Sequence, residues 1–116
     1  MIKTQNEKVR ELFLYVQERC LWQFFSRARD RETNINAITR MAGELLTGTR
    51  PKIETPIEKQ CFADAVELVV GIKTHQPWIL EESPEAIVGL MDELKEELLD
   101  LAVKSAKNGE LTWQAY

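Results

Sequence analysis

The chain has 116 residues, 44% of them hydrophobic and 29% charged, with a formal net charge of -4 at pH 7. This length suits one domain, residues 1–116, with a single hydrophobic core. The acidic balance disfavours a nucleic-acid-binding protein, and no apolar stretch is long enough to predict a membrane span. The N-terminus "MIKTQNEKVRE" lacks the apolar centre of a signal peptide, so we expect a cytoplasmic protein.

The first two predicted helices cover residues 5–29 and 34–47. Residues 5–29 contain neither Gly nor Pro, and the second helix ends where Gly48 suits a C-terminal cap and Pro51 prevents continuation. No helix breaker separates the two, so one kinked helix is the alternative. Their apolar side chains recur at helical spacing. The predicted inward positions are Val9, Leu12, Phe13, Val16, Cys20, Phe24, Ile35, Ile38, Met41, Ala42, Leu45 and Leu46.

Two further helices are predicted over residues 56–73 and 84–106, with a loop at 74–83 between them. Thr55 can cap the third helix with Glu58 completing the capping box, and Ser83 can cap the fourth. Their predicted inward positions are Ile57, Cys61, Phe62, Ala65, Leu68, Val69, Ile72, Ile87, Met91, Leu94, Leu98 and Leu101. The sequence therefore predicts an all-α fold, a small bundle of about four helices with short loops.

The stretch "CLWQFFSRARDRE" gives the first helix a second apolar face. On a helical wheel this face lies well away from the core stripe and comprises Leu14, Tyr15, Leu21, Trp22 and Phe25. A helix buried on both sides, a partner-binding surface and a small-molecule pocket all fit this pattern. Aromatic side chains beside arginine are typical of interface hot spots. We therefore predict a partner interface formed by Tyr15, Leu21, Trp22, Phe25, Arg27 and Arg29.

The residue pattern predicts no catalytic, cofactor-binding or metal-binding site on this chain. His75 is the single histidine, which we expect at the surface or in a cap. Cys20 and Cys61 lack the close spacing of metal ligands, and two buried reduced thiols are favoured over a disulfide. Acidic residues crowd the last helix, which indicates a solvated face or, alternatively, an electrostatic contact with a basic partner.

Several short segments, in this order and at this spacing, resemble the delta subunit of the alternative nitrogenases, the vanadium–iron and iron-only enzymes. They are "ERCLWQFFSR" at 18–27 with Asp-Arg-Glu at 30–32, "LLTG" at 45–48, "FADAVEL" at 62–68, Pro-Trp at 77–78 and "NGELTWQAY" at 108–116. Family members usually have Trp where this sequence has Arg29. Phe24-Phe25 followed by Ser26-Arg27 is more similar to the vanadium form, which we favour.

The resemblance implies an accessory, non-catalytic subunit of an enzyme that reduces dinitrogen to ammonia. Such a chain docks on the large α chain in an α2β2δ2 complex and assists insertion or retention of the cofactor. The iron–vanadium or iron-only cofactor and the P-cluster belong to the α and β chains, so we expect no cofactor on this one. From the residues alone, the alternative is a free-standing helical adaptor or regulatory module that self-associates through an apolar helix face.

Overall fold

The fold is known from a computed structural model that describes residues 3–21, 24 and 31–108, the last four of these by their backbone only. Within this part of the chain every element is helical and no strand occurs, which confirms the all-α prediction. The elements are α1 (Gln5–Arg19), α2 (Arg31–Leu46), α3 (Pro56–His75), a short 3-10 helix (Pro77–Glu81) and α4 (Pro84–Asn108).

A capping box of two reciprocal hydrogen bonds caps the N-terminus of α3, as predicted. The backbone N–H of Glu58 donates to Thr55 Oγ1 at 3.1 Å, and the backbone N–H of Thr55 donates to Glu58 Oε1 at 2.9 Å. The backbone N–H of Glu54 also donates to Glu58 Oε1, at 3.0 Å, and this bond, together with those from Thr55, lowers the pKa of the Glu58 carboxyl. The predicted cap of α4 is also confirmed, since the N–H of Ala86 donates to Ser83 Oγ at 3.2 Å. The capping box of Thr4 and Glu7 at the start of α1 was not predicted.

Replacing Thr55 by Ala should lower the free energy of unfolding by about 1 kcal/mol. The change removes the acceptor of the Glu58 N–H, which no other protein group then satisfies in the first turn of α3. Thermal denaturation followed by circular dichroism measures the effect. Thr55→Ser keeps the hydroxyl and should stay close to wild type. Equal stability of Thr55→Ala and wild type would contradict this role of the cap.

The C-terminus of α2 ends in a Schellman motif at Gly48, as the sequence indicated. Gly48 has φ 84°, in the left-handed region where glycine carries no Cβ penalty. The N–H of Thr49 donates to the carbonyl of Glu44 at 2.8 Å, and that of Gly48 to the carbonyl of Leu45 at 3.3 Å. The chain therefore leaves α2 sharply and turns toward α3.

Several predicted boundaries were wrong. The first helix is interrupted at Cys20, whose N–H still donates to the carbonyl of Val16 at 2.8 Å but whose φ and ψ are -125° and 4°. Any L-residue can adopt this bridge conformation, so no Gly or Pro marks it. Helix α2 begins at Arg31, three residues earlier than predicted, and α3 continues to His75. The predicted loop forms a 3-10 helix because Ile79 anchors it, fully buried, in the core.

Helix α2 lies at the centre of the described bundle, where it packs against both α3 and α4, while α1 packs against α4. Most predicted inward positions are buried, and Leu90 in α4 is a buried residue that was not among them. Ile57 was predicted inward but is 57% exposed. It lies in the first turn of α3, one turn before Cys61, the first buried position of that helix. The margin of the core is formed by half-buried Phe13, Leu45, Leu46, Phe62 and Leu101.

Candidate partner interface

Two members of the predicted interface, Tyr15 and Leu21, lie in the core of this chain. Their exposed fractions are 9% and 2%. The assignment of these two residues to a free partner surface is therefore corrected. For Tyr15 the reason is that α1 packs on α4 and also contacts α3 at Gly71, so a second apolar stripe does not by itself indicate accessible surface. Leu14, from the same predicted face, does remain accessible at 40%.

The Tyr15 side chain joins α1 to α3. Its hydroxyl lies directly over the backbone of Gly71, where a Cβ atom would overlap with it. Its ring lies beside the imidazole of His75, with the two ring centroids 5.7 Å apart. Burial, together with a hydrogen bond to the Cys20 thiol, raises the pKa of Tyr15 to about 12. Tyr15 is therefore a neutral packing residue at physiological pH.

The remaining predicted interface residues, Trp22, Phe25, Arg27 and Arg29, lie outside the described residues. Their role in binding a partner stays a prediction.

Both cysteines are buried and reduced, as the sequence predicted. Cys61 is fully buried and its Sγ lies 3.7 Å from Oδ1 of Asn34, the geometry of a thiol that donates to the amide oxygen. Burial raises the pKa of the Cys20 thiol, and the hydrogen bond with Tyr15 offsets part of that rise. Each thiol therefore acts as a small buried side chain that also contacts a polar group.

Changing both cysteines to serine should reduce the free energy of unfolding by about 1–2 kcal/mol in total. The loss is limited because serine can keep both hydrogen bonds. At position 61 its hydroxyl can donate to the Asn34 amide oxygen, and at position 20 it can form a hydrogen bond with the Tyr15 hydroxyl. Chemical denaturation measures it, and nitrogenase activity of the assembled enzyme should persist as long as the variant folds. A stoichiometric metal ion in the purified wild-type chain that disappears in this variant would overturn the structural role of the thiols.

His75 lies at the exposed end of α3, as expected of a surface residue. Within the described ranges, no group of three or more His, Cys, Asp or Glu side chains is arranged to hold a metal ion. None of the helices described here is long and apolar enough to cross a membrane.

A groove that the sequence analysis missed runs between α1 and α4. It has a volume of about 560 Å³. One wall is the α1 stripe Asn6, Val9, Arg10 and Phe13, and the other is the α4 stripe Glu93, Glu96 and Glu97. The sequence analysis placed Phe13 in the core, and the glutamates on a solvated face or, alternatively, in an electrostatic contact with a basic partner. Only the packing of α1 on α4 brings the two stripes together.

A second groove, of about 670 Å³, lies between α2 and α4. Its charges are balanced, since Arg40 and Lys95 line it together with Glu44 and Asp92. Arg40 Nη1 already pairs with Glu44 Oε1 at 2.8 Å, one helical turn away. This groove therefore favours neither sign of ligand.

Comparison with known proteins places this helical chain in a family. Residues 6–116 match the family described as the vanadium/alternative nitrogenase delta subunit. The chain is 33% identical over 109 residues to the nitrogenase iron-iron protein delta chain of Clostridium pasteurianum, with 94% of each chain covered. It is 34% identical over 111 residues to the delta chains of the same name from Rhodospirillum rubrum and Rhodobacter capsulatus, with 96% of each chain covered. The match does not distinguish the vanadium form from the iron-only form, so the preference for vanadium stays a prediction. The chain belongs to the family of delta subunits of the vanadium and other alternative nitrogenases.

Proposed function

We propose that this delta subunit is an accessory chain that docks on the large α chain of its dinitrogenase and assists insertion or retention of the cofactor there. The observation that carries the proposal is the end-to-end match to curated relatives named as delta chains of a nitrogenase protein, 94–96% of each chain being covered. In this proposal the reduction of dinitrogen takes place on the α and β chains, and this chain contributes binding rather than catalysis.

The described structure offers a stable scaffold for such a role. The core joins all of the described helices, so a surface residue on any one of them is held in a fixed position relative to the others. Rigid presentation lowers the conformational entropy lost on binding. Helix α1 offers two accessible features that a partner could contact. They are the exposed side chain of Leu14 and the groove between α1 and α4.

Size-exclusion chromatography of the pure chain, with and without α and β chains that lack the cofactor, tests the docking step. We expect co-elution with the α and β chains. Elemental analysis of complexes purified with and without this chain tests the cofactor step, and we expect more cofactor metal when the chain is present. A chain that only self-associates and leaves the α and β chains unbound would support the free-standing adaptor instead.

A further inference from the structure

The α1/α4 groove combines an accessible aromatic side chain with an excess of one charge. Its α1 wall uses positions 6, 9, 10 and 13, and its α4 wall uses positions 93, 96 and 97, so each wall is a single face of its helix. Val9 is 7% exposed and forms the floor, while Phe13 is half-buried and lies at the margin of the core. The accessible part of the Phe13 ring is the apolar surface that a ligand would cover.

The charges of the groove are unbalanced. Three glutamates on α4 face one arginine, Arg10, on α1, which gives the lining a net charge of -2. Glu93 is fixed, since its Oε2 accepts from Gln5 Nε2 at 2.5 Å across the two helices. Glu96 is 72% exposed and has only a long contact of 4.0 Å with Lys95. All three glutamates are exposed, so their carboxylates lie at the rim of the groove, where a partner can reach them.

We propose that this groove is a docking surface for a basic amphipathic segment of the nitrogenase α chain, an inference that rests on the proposed function. An apolar side chain of that segment covers Phe13, while its Lys or Arg side chains reach Glu93, Glu96 and Glu97. The α1 wall, from position 6 to position 13, is about 10 Å long, from seven helical rises of 1.5 Å each, which matches about two turns of a partner helix. An apolar centre with a polar, accessible rim is typical of protein–protein interfaces.

The carboxylates act mainly on the rate of association. Charges at the rim of an interface steer the encounter of the two proteins and are screened by salt. The charge-neutral variant with Glu93→Gln, Glu96→Gln and Glu97→Gln keeps the size of the side chains and should therefore fold normally. Arg10→Gln removes the one positive charge that opposes a basic partner, so it should act in the opposite direction.

Biolayer interferometry of the full chain against purified α and β chains that lack it tests the proposal. At low salt the triple variant should associate about tenfold more slowly than wild type and lose most of its salt dependence, while Arg10→Gln should associate about twofold faster. A matched control neutralises three exposed glutamates outside the groove, Glu54, Glu81 and Glu85, and should stay within about twofold of wild type.

The outcomes separate the two proposals. If wild type binds but the triple variant and the matched control associate at the same rate, the groove is not the docking surface and the proposed function stands. If Arg10→Gln weakens binding, the partner segment is not basic, and the groove proposal is likewise overturned. If the folded wild-type chain does not bind the α and β chains at all, the proposed function fails and this inference fails with it.

Discussion

Gly71→Ala should lower the free energy of unfolding by about 3 kcal/mol, although alanine is normally the better residue inside a helix. Gly71 lies in α3, and a Cβ atom there would overlap with the Tyr15 hydroxyl and approach ring atom Cζ to 3.2 Å. The overlap can be relieved only by shifting the Tyr15 ring, which is 9% exposed, or by moving α1 away from α3. Thermal and chemical denaturation measure the loss. Helix propensity alone would predict that alanine stabilises the chain, so the expected change in stability is opposite to that prediction.

Two variants isolate the cause of this loss. Gly89→Ala in α4, where no atom lies within 4 Å of the added Cβ, should stabilise the chain by about 0.5–1 kcal/mol. Combining Gly71→Ala with Tyr15→Phe removes the overlapping hydroxyl and should restore a large part of the lost stability. Additive effects of the two changes would show that the Tyr15 hydroxyl is not what excludes a side chain at position 71.

Trp22→Ala should weaken binding to the α and β chains by about 2 kcal/mol, roughly thirtyfold in affinity, and leave the melting temperature nearly intact. The motivation is the sequence "LWQFFSR" at 21–27, in which large aromatic residues are followed by arginine and which is part of the segment that resembles the family. Co-purification with tagged α chain and a thermal melt measure the two quantities separately.

Val16→Ala and Tyr15→Ala are the controls for Trp22→Ala. Val16 is fully buried and Tyr15 is 9% exposed, so both changes should lower the melting temperature and leave the binding of the folded fraction unchanged. A Trp22→Ala variant that behaves like these two, with a strongly lowered melting temperature and normal binding, would place Trp22 in the core and end its assignment to the interface.

The residues that sequence analysis placed correctly are those whose structure depends on near neighbours. Thr55 and Glu58 bond to each other three residues apart, and Gly48 ends α2 because its own backbone adopts a positive φ. Such contacts form within one turn of chain, so their residue types are diagnostic. The interruption at Cys20 carries no such marker, and the single helix over 5–29 was accordingly wrong.

The accessible surface of the candidate site depended on contacts between distant parts of the chain. The helical wheel gives the direction of each side chain around α1 but not which directions α3 and α4 cover. Tyr15 was therefore predicted at a partner surface, whereas its hydroxyl lies over Gly71, far along the sequence. Likewise Phe13 and Glu97 share a groove only because α1 packs on α4.

The sequence by itself determined the all-α fold, the caps of α3 and α4, the buried thiols and the membership of the delta-subunit family. Each follows from residue spacing or from ordered short segments, which are properties of the chain alone. Only the tertiary structure decided that Tyr15 and Leu21 belong to the core and that α1 and α4 form an acidic groove around Phe13. The physical reason is that burial is a property of pairs of helices, because a side chain is buried only when another part of the chain excludes water from it.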